Sequence, residues 1–204
     1  MIGLIQQTLL GLLDASGVPD ARAEVLRRVG LPAEMHFRID TDYDDDQADA
    51  LLAQSCAVLN LTQEQAFEAF ATAFLAATRQ RFPAFYAMSR NSRAFLARQA
   101  AIHNVMASGL RNPDRRRVIN DKFQIISLGN GDLRVVYNSP RRWCGLYLAL
   151  AREVARFYGD RLEITVAECR QRGDGQCAFQ LHWPDLQGPT TPAETTAGAS
   201  EHRE

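Results

Sequence analysis

Apolar residues recur at helical spacing through the first quarter of the chain. Residues 2–15 place an apolar side chain at every third or fourth position, which predicts an amphipathic helix. A second, shorter helix is predicted over residues 20–29, because Gly30 and Pro32 follow it directly. The segment between this helix and the next shows no clear period and is expected to be a loop.

Two further helices carry recognisable start signals. The acidic run at residues 44–46 opens the first, since acids in a first turn favour the positive end of the helix dipole. Thr62 and Gln65 stand at the spacing of a capping box and open the second. This helix is rich in phenylalanine on one face, and Pro83 is expected to end it at about Phe82.

A fifth helix is expected over residues 91–110, where the apolar stripe includes a histidine. That residue, His103, is the only one of the four histidines on a clear helical core face. A histidine there is usually an ordinary core residue, and ligation of a metal is the sharper alternative. The arginine-rich residues 112–117 that follow are predicted to form a solvated loop.

The pattern then changes to that of extended chain. Residues 122–128 and 133–139 are alternating or β-branched, and Gly129-Asn-Gly131 between them is a hairpin signal. A strand pair is therefore predicted immediately after the arginine-rich loop.

The last ordered segments repeat the change between helix and strand. Helical spacing returns over residues 142–158, and residues 163–169 and 176–183 predict a second hairpin. We expect one α+β domain over residues 1–186, because helices precede a helix flanked by hairpins. Residues 187–204, rich in Pro, Thr, Ala and Gly, are expected to be a disordered tail.

Composition narrows the class of protein. A formal net charge of -1 argues against a nucleic-acid platform. No apolar run reaches the length of a membrane span, and the N-terminus lacks the features of a signal peptide. Four scattered cysteines are typical of a reducing compartment, so a cytoplasmic protein is expected. We find no nucleophile–base pair and no phosphate-binding glycine loop, so an enzyme is not expected.

The end of the second predicted strand carries candidate binding chemistry. Tyr137, Ser139 and Arg141 are spaced two apart, so an extended chain would point them to one side. A phenol, a hydroxyl and a guanidinium fork together suit a carboxylate held in a fixed geometry. An ordinary surface strand end is the alternative interpretation of the same three residues.

Several features together resemble the H-NOX family of haem–nitric oxide/oxygen binding domains. They are the Met-x-Gly start, the acidic run at residues 44–46, Phe82-Pro83-Ala-Phe-Tyr86, Ile102-His103, and Tyr137-x-Ser139-x-Arg141. The resemblance covers about residues 1–183 and is of the stand-alone bacterial sensor type. The tyrosine–serine–arginine motif alone is a weak pattern; its combination with an upstream helical histidine is more specific.

The resemblance implies a fold, a cofactor and a set of site residues. It implies an N-terminal helical subdomain and a C-terminal antiparallel sheet with helices, with haem b between them. His103 would be the ligand of the haem iron, and Tyr137, Ser139 and Arg141 would hold the two propionates. The expected apolar wall of the pocket is Ile5, Leu9, Phe70, Phe74 and Leu146.

The resemblance also bears on which gas is bound. Oxygen-binding members carry a tyrosine on the helix after the motif and a polar partner on the phenylalanine-rich helix. Here those positions are Leu146 and Phe74, which are apolar, so nitric oxide is expected and oxygen is not. Tyr147 lies one residue away, and a shift in register would bring its hydroxyl into the pocket.

Three cysteines leave a metal question open. Some bacterial relatives carry zinc on their C-terminal subdomain, and Cys169 and Cys177 match two of those ligand positions. The other two positions are Leu146 and Val166, which cannot bind zinc, although Cys144 is near in sequence. Packed thiols or a redox-sensitive pair are favoured over zinc.

Signalling is expected to pass to a separate protein. The chain carries no kinase or cyclase segment, and family members act on a histidine kinase or a cyclic-di-GMP enzyme. The alternative to the sensor is a haem-free module for a small ligand, zinc or redox sensing, because residues 137–177 also resemble vinyl-reductase-like domains. Such a module would not need His103.

Overall fold

The computed structural model describes residues 3–39, 41–108, 113–139, 141 and 143–186. Its helices are α1 (Leu4–Asp14), α2 (Ala21–Arg28), α3 (Asp45–Leu59), α4 (Gln63–Arg81), α5 (Pro83–Ala87), α6 (Ser92–Ala97), α7 (Gln99–Ala107), α8 (Pro113–Asn120) and α9 (Cys144–Tyr158). Its strands are β1 (Phe123–Ser127), β2 (Leu133–Tyr137), β3 (Glu163–Glu168) and β4 (Cys177–His182). The predicted tail lies outside the described residues.

Helices α1 to α4 form the N-terminal half, and their start signals act as the sequence predicts. The Asp44 side chain accepts a hydrogen bond from the backbone N–H of Asp46 at the start of α3. Thr62 and Gln65 form a complete capping box at the start of α4. The apolar faces of these helices meet in one cluster, the N-terminal core, which also takes in Trp143 and Leu146.

The two predicted hairpins join into one antiparallel sheet of order β1-β2-β4-β3. Phe123 of β1 pairs with Tyr137 of β2, and Tyr137 pairs in turn with Cys177 of β4. The central strands are the most buried, and Phe179 of β4 is fully inaccessible. The sheet, α6 and part of α9 enclose a second cluster, the C-terminal core.

Helix α9 connects the two cores because it is apolar on two sides. Leu146 and Ala149 belong to the N-terminal core, whereas Tyr147, Ala151 and Val154 belong to the C-terminal core. A helix with such a wide apolar surface must be covered by partners on both sides. The space between the two cores is therefore bounded on one side by α9. This confirms the α+β class and its two-part arrangement.

Three local predictions are wrong at their boundaries. Pro83 ends α4 but also begins the short helix α5, because proline is well suited to the first helical position. The helix expected over residues 91–110 is split at Arg98 into α6 and α7. The predicted arginine-rich loop contains α8, which begins at Pro113 for the same reason as α5 and carries Asp114 in its first turn.

No helix among the described residues is both long and apolar enough to cross a membrane.

Candidate functional site

A largely apolar cavity lies between the two cores and is walled by α1, α4 to α7, α9 and the start of β1. It holds about 1320 Å³ of space free of atoms, part of it open to solvent. Half of its lining residues come from three helices: Phe74, Leu75 and Thr78 of α4; Gln99, Ile102, His103 and Met106 of α7; and Leu146, Tyr147, Leu150, Ala151 and Val154 of α9. Such a cavity suits a ligand whose body is apolar.

His103 enters this cavity from the middle of α7. Its ring centroid lies 4.8 Å from that of Phe123, in an edge-on arrangement. Burial, reinforced by the positive charge of Lys122, lowers the pKa of His103 to about 4. The imidazole is therefore neutral at physiological pH, which is the form that ligates a metal through a ring nitrogen.

Tyr137 lines the same cavity from the end of β2. Its ring stacks on Phe123 with centroids 5.1 Å apart, which follows from their pairing across the two strands. Burial raises the pKa of the Tyr137 phenol, and a hydrogen bond with the Ser139 side chain partly offsets this. Tyr137 is therefore a neutral hydrogen-bonding group beside the ring that touches His103.

The Arg141 side chain, unlike that of Tyr137, does not line the cavity. Its side chain is buried against α3, with Nε 3.3 Å from an Asp45 carboxylate oxygen and Nη1 2.5 Å from one of Asp49. These contacts are ion pairs, and neither Nε nor Nη1 makes a hydrogen bond among the described residues. The guanidinium carbon also lies 5.5 Å from the centroid of the Trp143 ring. Arg141 is absent from the cavity lining and instead borders a separate surface pocket.

Ser139 lies between Tyr137 and Arg141 in the sequence, and its side chain is buried. Its Oγ accepts a hydrogen bond of 3.3 Å from the backbone N–H of Arg141. The tyrosine–serine–arginine motif is thus not one strand face, because β2 ends at Tyr137 and the chain turns. The role of the motif in holding carboxylates stays a prediction.

The expected apolar wall is placed only in part along the cavity. Ile5, Phe74 and Leu146 are lining residues. Leu9 and Phe70 are buried in the N-terminal core and are absent from the lining. Phe70 supports the wall indirectly, since its ring stacks on that of Phe74 at a centroid distance of 5.5 Å.

Both Leu146 and Tyr147 line the cavity, but they belong to different cores. Leu146 packs with the N-terminal helices. Tyr147 stacks on Phe179 at 4.8 Å and lies 5.6 Å from Phe123, the ring that contacts His103. Tyr147 is therefore part of the aromatic group that extends to the histidine. Its hydroxyl is buried and has no hydrogen-bond partner among the described residues.

The sequence analysis missed Lys122, a charged residue of the cavity lining. Lys122 lies between α8 and β1, and its side chain reaches the cavity. It is the only lysine of the chain, which has 22 arginines. That compositional contrast is a signal that could have drawn attention to it. Gln99, one helical turn before His103, is a second polar lining residue that was not expected.

The thiols of three cysteines form a separate buried group, at the start of α9, the end of β3 and the start of β4. The sulfur atoms of Cys144, Cys169 and Cys177 all lie within 4.8 Å of one another. The sulfurs of Cys144 and Cys169 are 3.6 Å apart. In the part of the chain that the structure describes, no histidine or carboxylate completes the four ligands typical of structural zinc. The zinc interpretation thus gains a third candidate ligand in Cys144 but no fourth.

The cavity residues fit a haem by their chemistry. A flat apolar ring matches the aliphatic and aromatic walls, and a neutral imidazole is available as an axial ligand. Lys122 and Tyr137 supply a cation and a phenol that suit the carboxylates of such a cofactor. The buried Tyr147 hydroxyl and Gln99 carbonyl oxygen lack protein partners among the described residues, as is common in a site for a ligand.

Comparison with known proteins gives a consistent result. A family described as haem-NO-binding matches residues 2–166. An H-NOX protein from S. oneidensis in an Fe(II)NO state aligns with a TM-score of 0.72 at 16% identity, covering 90% of this chain and 99% of that one. An oxygen-binding H-NOX domain related to soluble guanylate cyclases, in its oxygen complex, aligns with a TM-score of 0.71 at 17% identity, covering 91% and 96%. No curated protein sequence matches this chain.

Proposed function

The chain belongs to the haem-NO-binding (H-NOX) family, and on that premise we propose that it senses nitric oxide at a ferrous haem and does not bind oxygen. The single observation that carries the proposal is the arrangement of the cavity. A neutral His103 lines it together with Ile5, Phe74 and Leu146, which offer no hydrogen-bond donor.

The distinction between the gases rests on a hydrogen bond. Iron-bound oxygen carries partial negative charge and gains from a nearby donor, whereas nitric oxide binds ferrous iron strongly without one. Tyr147 is a candidate donor in the cavity lining, but its ring packs with Phe179 and with Phe123, the ring that contacts His103. Leu146 and Phe74 pack with the N-terminal core, apart from the aromatic group that contacts His103, and would offer a bound gas no hydrogen-bond donor there, which supports exclusion of oxygen.

When bound, the haem supplies an iron atom to which the gas attaches. In this proposal His103 would hold that iron from α7, and Tyr137, Ser139 and Arg141 would hold the carboxylates. Weakening of the bond between His103 and the iron on gas binding would let α7 move relative to the N-terminal helices. Because α9 is shared by both cores, a change on one side of the cavity is transmitted to the other.

The output of the sensor lies in another protein under this proposal. A histidine kinase or a cyclic-di-GMP enzyme is the expectation from the family. A reducing, cytoplasmic setting is part of this proposal, because four scattered cysteines are typical of such a compartment. The haem-free alternative, a zinc or redox module, would rest on Cys144, Cys169 and Cys177 alone.

The visible spectrum of the purified, reduced protein tests the proposal. A Soret band that shifts with nitric oxide and shows no stable oxy form in air is the expected result. The Tyr147→Phe variant is the matched control and should behave identically. A persistent oxy complex in the wild type that is lost in Tyr147→Phe would identify Tyr147 as a donor and contradict the exclusion of oxygen.

A further inference from the structure

Lys122 is the only lysine, arginine, aspartate or glutamate among the described residues that line the cavity. Every other lining residue is apolar or carries a neutral polar group, including His103, whose imidazole is neutral. A lone ammonium at the edge of an apolar cavity is unfavourable unless something negative offsets its charge. The Lys122 ammonium therefore needs a negatively charged partner.

No described carboxylate lies within ion-pair distance of the Lys122 ammonium. Asp45 and Asp42 are near enough to favour its charged form, but burial is the larger effect and lowers its pKa. Asp45 is itself in contact with Arg141. Within the described residues, the protein thus supplies Lys122 with a negative environment and not with a direct partner.

The backbone fixes Lys122 beside the tyrosine–serine–arginine motif. Its carbonyl oxygen accepts a hydrogen bond of 2.8 Å from the N–H of Asn138, the residue between Tyr137 and Ser139. The next residue, Phe123, pairs with Tyr137 across β1 and β2. Lys122 and Tyr137 therefore enter the cavity from adjacent strand ends, at the same end of the site.

The charge of Arg141, at the same end, is already offset within the protein. Its guanidinium contacts the carboxylates of both Asp45 and Asp49, so this group of three side chains is not positive overall. Two incoming carboxylates would meet a cluster whose own charge is already offset. Among the described residues of the cavity lining, Lys122 is the cation that could bind an incoming carboxylate.

We propose that the Lys122 ammonium binds a carboxylate of the cofactor directly, as an additional cation beside the tyrosine–serine–arginine motif. The inference rests on the proposed haem function. A compact ammonium on a flexible stem can pass apolar surface to reach such a group, whereas a guanidinium fork is wider and more rigid. The chain has one lysine, at this position, and 22 arginines elsewhere, which agrees with a preference for the compact ammonium here.

Haem loss from the full chain tests the proposal, with two cofactors that differ only in charge. Haem b keeps both carboxylates, whereas its dimethyl ester has none. The rate of loss of each to excess apomyoglobin is followed at the Soret band. Lys122→Met should speed the loss of haem b by about tenfold or more and leave the loss of the ester unchanged. Lys122→Arg, which keeps the charge but not the compact ammonium, should retain haem b better than Lys122→Met and less well than the wild type.

Two results would overturn the proposal. An equal effect of Lys122→Met on both cofactors would mean that the side chain only fills space, and no effect on haem b would mean that it makes no such contact. Failure of the wild-type chain to bind haem b at all would instead refute the proposed function, so the two failures are distinguishable.

The unmodified protein offers a second measurement that needs no variant. Lys122 is the only side-chain amine, so reductive methylation with formaldehyde and cyanoborohydride labels it uniquely apart from the chain terminus. Haem b should slow labelling of Lys122 strongly, and the dimethyl ester should slow it less. Equal protection by the two cofactors, or none by either, would contradict a carboxylate contact.

Discussion

Replacing Tyr147 with phenylalanine should make the haem-free protein more stable, although the substitution removes a polar group. The side chain is only 3% exposed, and its hydroxyl has no hydrogen-bond partner among the described residues. Phenylalanine keeps the ring contacts with Phe179 and Phe123, at 4.8 and 5.6 Å. The difference between the two proteins is then the cost of burying one unsatisfied hydroxyl.

That cost sets the expected magnitude. Burying a hydroxyl without a hydrogen bond costs about 1–3 kcal/mol in proteins, so Tyr147→Phe should raise the free energy of unfolding by about this amount. For a chain of this size each kcal/mol raises Tm by about 2–4 °C. Urea unfolding of the haem-free protein, followed by circular dichroism, gives the free-energy difference directly.

Tyr86→Phe is a matched control of opposite sign. The Tyr86 ring is also buried and stacks on Phe95 at 4.8 Å. Its hydroxyl, however, lies 2.6 Å from Thr78 Oγ1, so this substitution should destabilise the protein by about 1 kcal/mol. A loss of stability in Tyr147→Phe as large as that in Tyr86→Phe would refute the reasoning, because it would show that the Tyr147 hydroxyl is satisfied.

Further predictions concern the motif, the thiols and a helix start. Arg141→Ala should lower the stability of the haem-free protein by about 1–2 kcal/mol in urea unfolding, because water can only partly replace its contacts with two half-exposed aspartates. The same variant should lose haem b more readily than the wild type, as the predicted carboxylate role of Arg141 requires. Mild oxidation with diamide should link Cys144 to Cys169, whose sulfurs are 3.6 Å apart, and mass spectrometry of peptides from the unreduced protein should find that pair; a dominant pair through Cys177 would contradict it. Thr62→Ala should cost about 1 kcal/mol in the same unfolding assay by removing one half of the capping box, and no change would show that α4 does not depend on it.

Signals that act over a few residues were read correctly from the sequence. The capping box at Thr62 and the acidic start of α3 specify helix ends locally. The two hairpins were also predictable, because Gly129-Asn-Gly131 and the alternating strands on each side are contiguous in the chain. The family resemblance added the arrangement of helices and sheet, which the fold and the family match confirm.

Features that depend on distant contacts were not predictable in the same way. The pairing of β2 with β4 joins strands that are separated by α9, and nothing local specifies its register. Arg141 points to α3 because β2 ends at Tyr137, so the spacing of two residues no longer applies. The approach of Cys144 to Cys169 likewise depends on how α9 meets the sheet.

Boundaries within the helical half show a milder form of the same problem. Pro83 marks the end of one helix and the start of another, and a sequence pattern alone does not separate these two roles. The break at Arg98 interrupts a continuous apolar stripe. Arg98 donates a hydrogen bond of 3.2 Å to Ser89 Oγ, a contact with the turn before α6 that only the folded chain reveals.

The visible spectrum of His103→Gly, reconstituted with haem b and titrated with imidazole, tests the central claim most directly. We expect haem binding by the variant to be weak or absent without imidazole, and free imidazole to restore a Soret band at the wild-type position. His36→Gly, which alters an exposed histidine far along the chain, should be indistinguishable from the wild type. A His103→Gly spectrum that matches the wild type without imidazole would contradict the account, because it would show that another residue holds the iron.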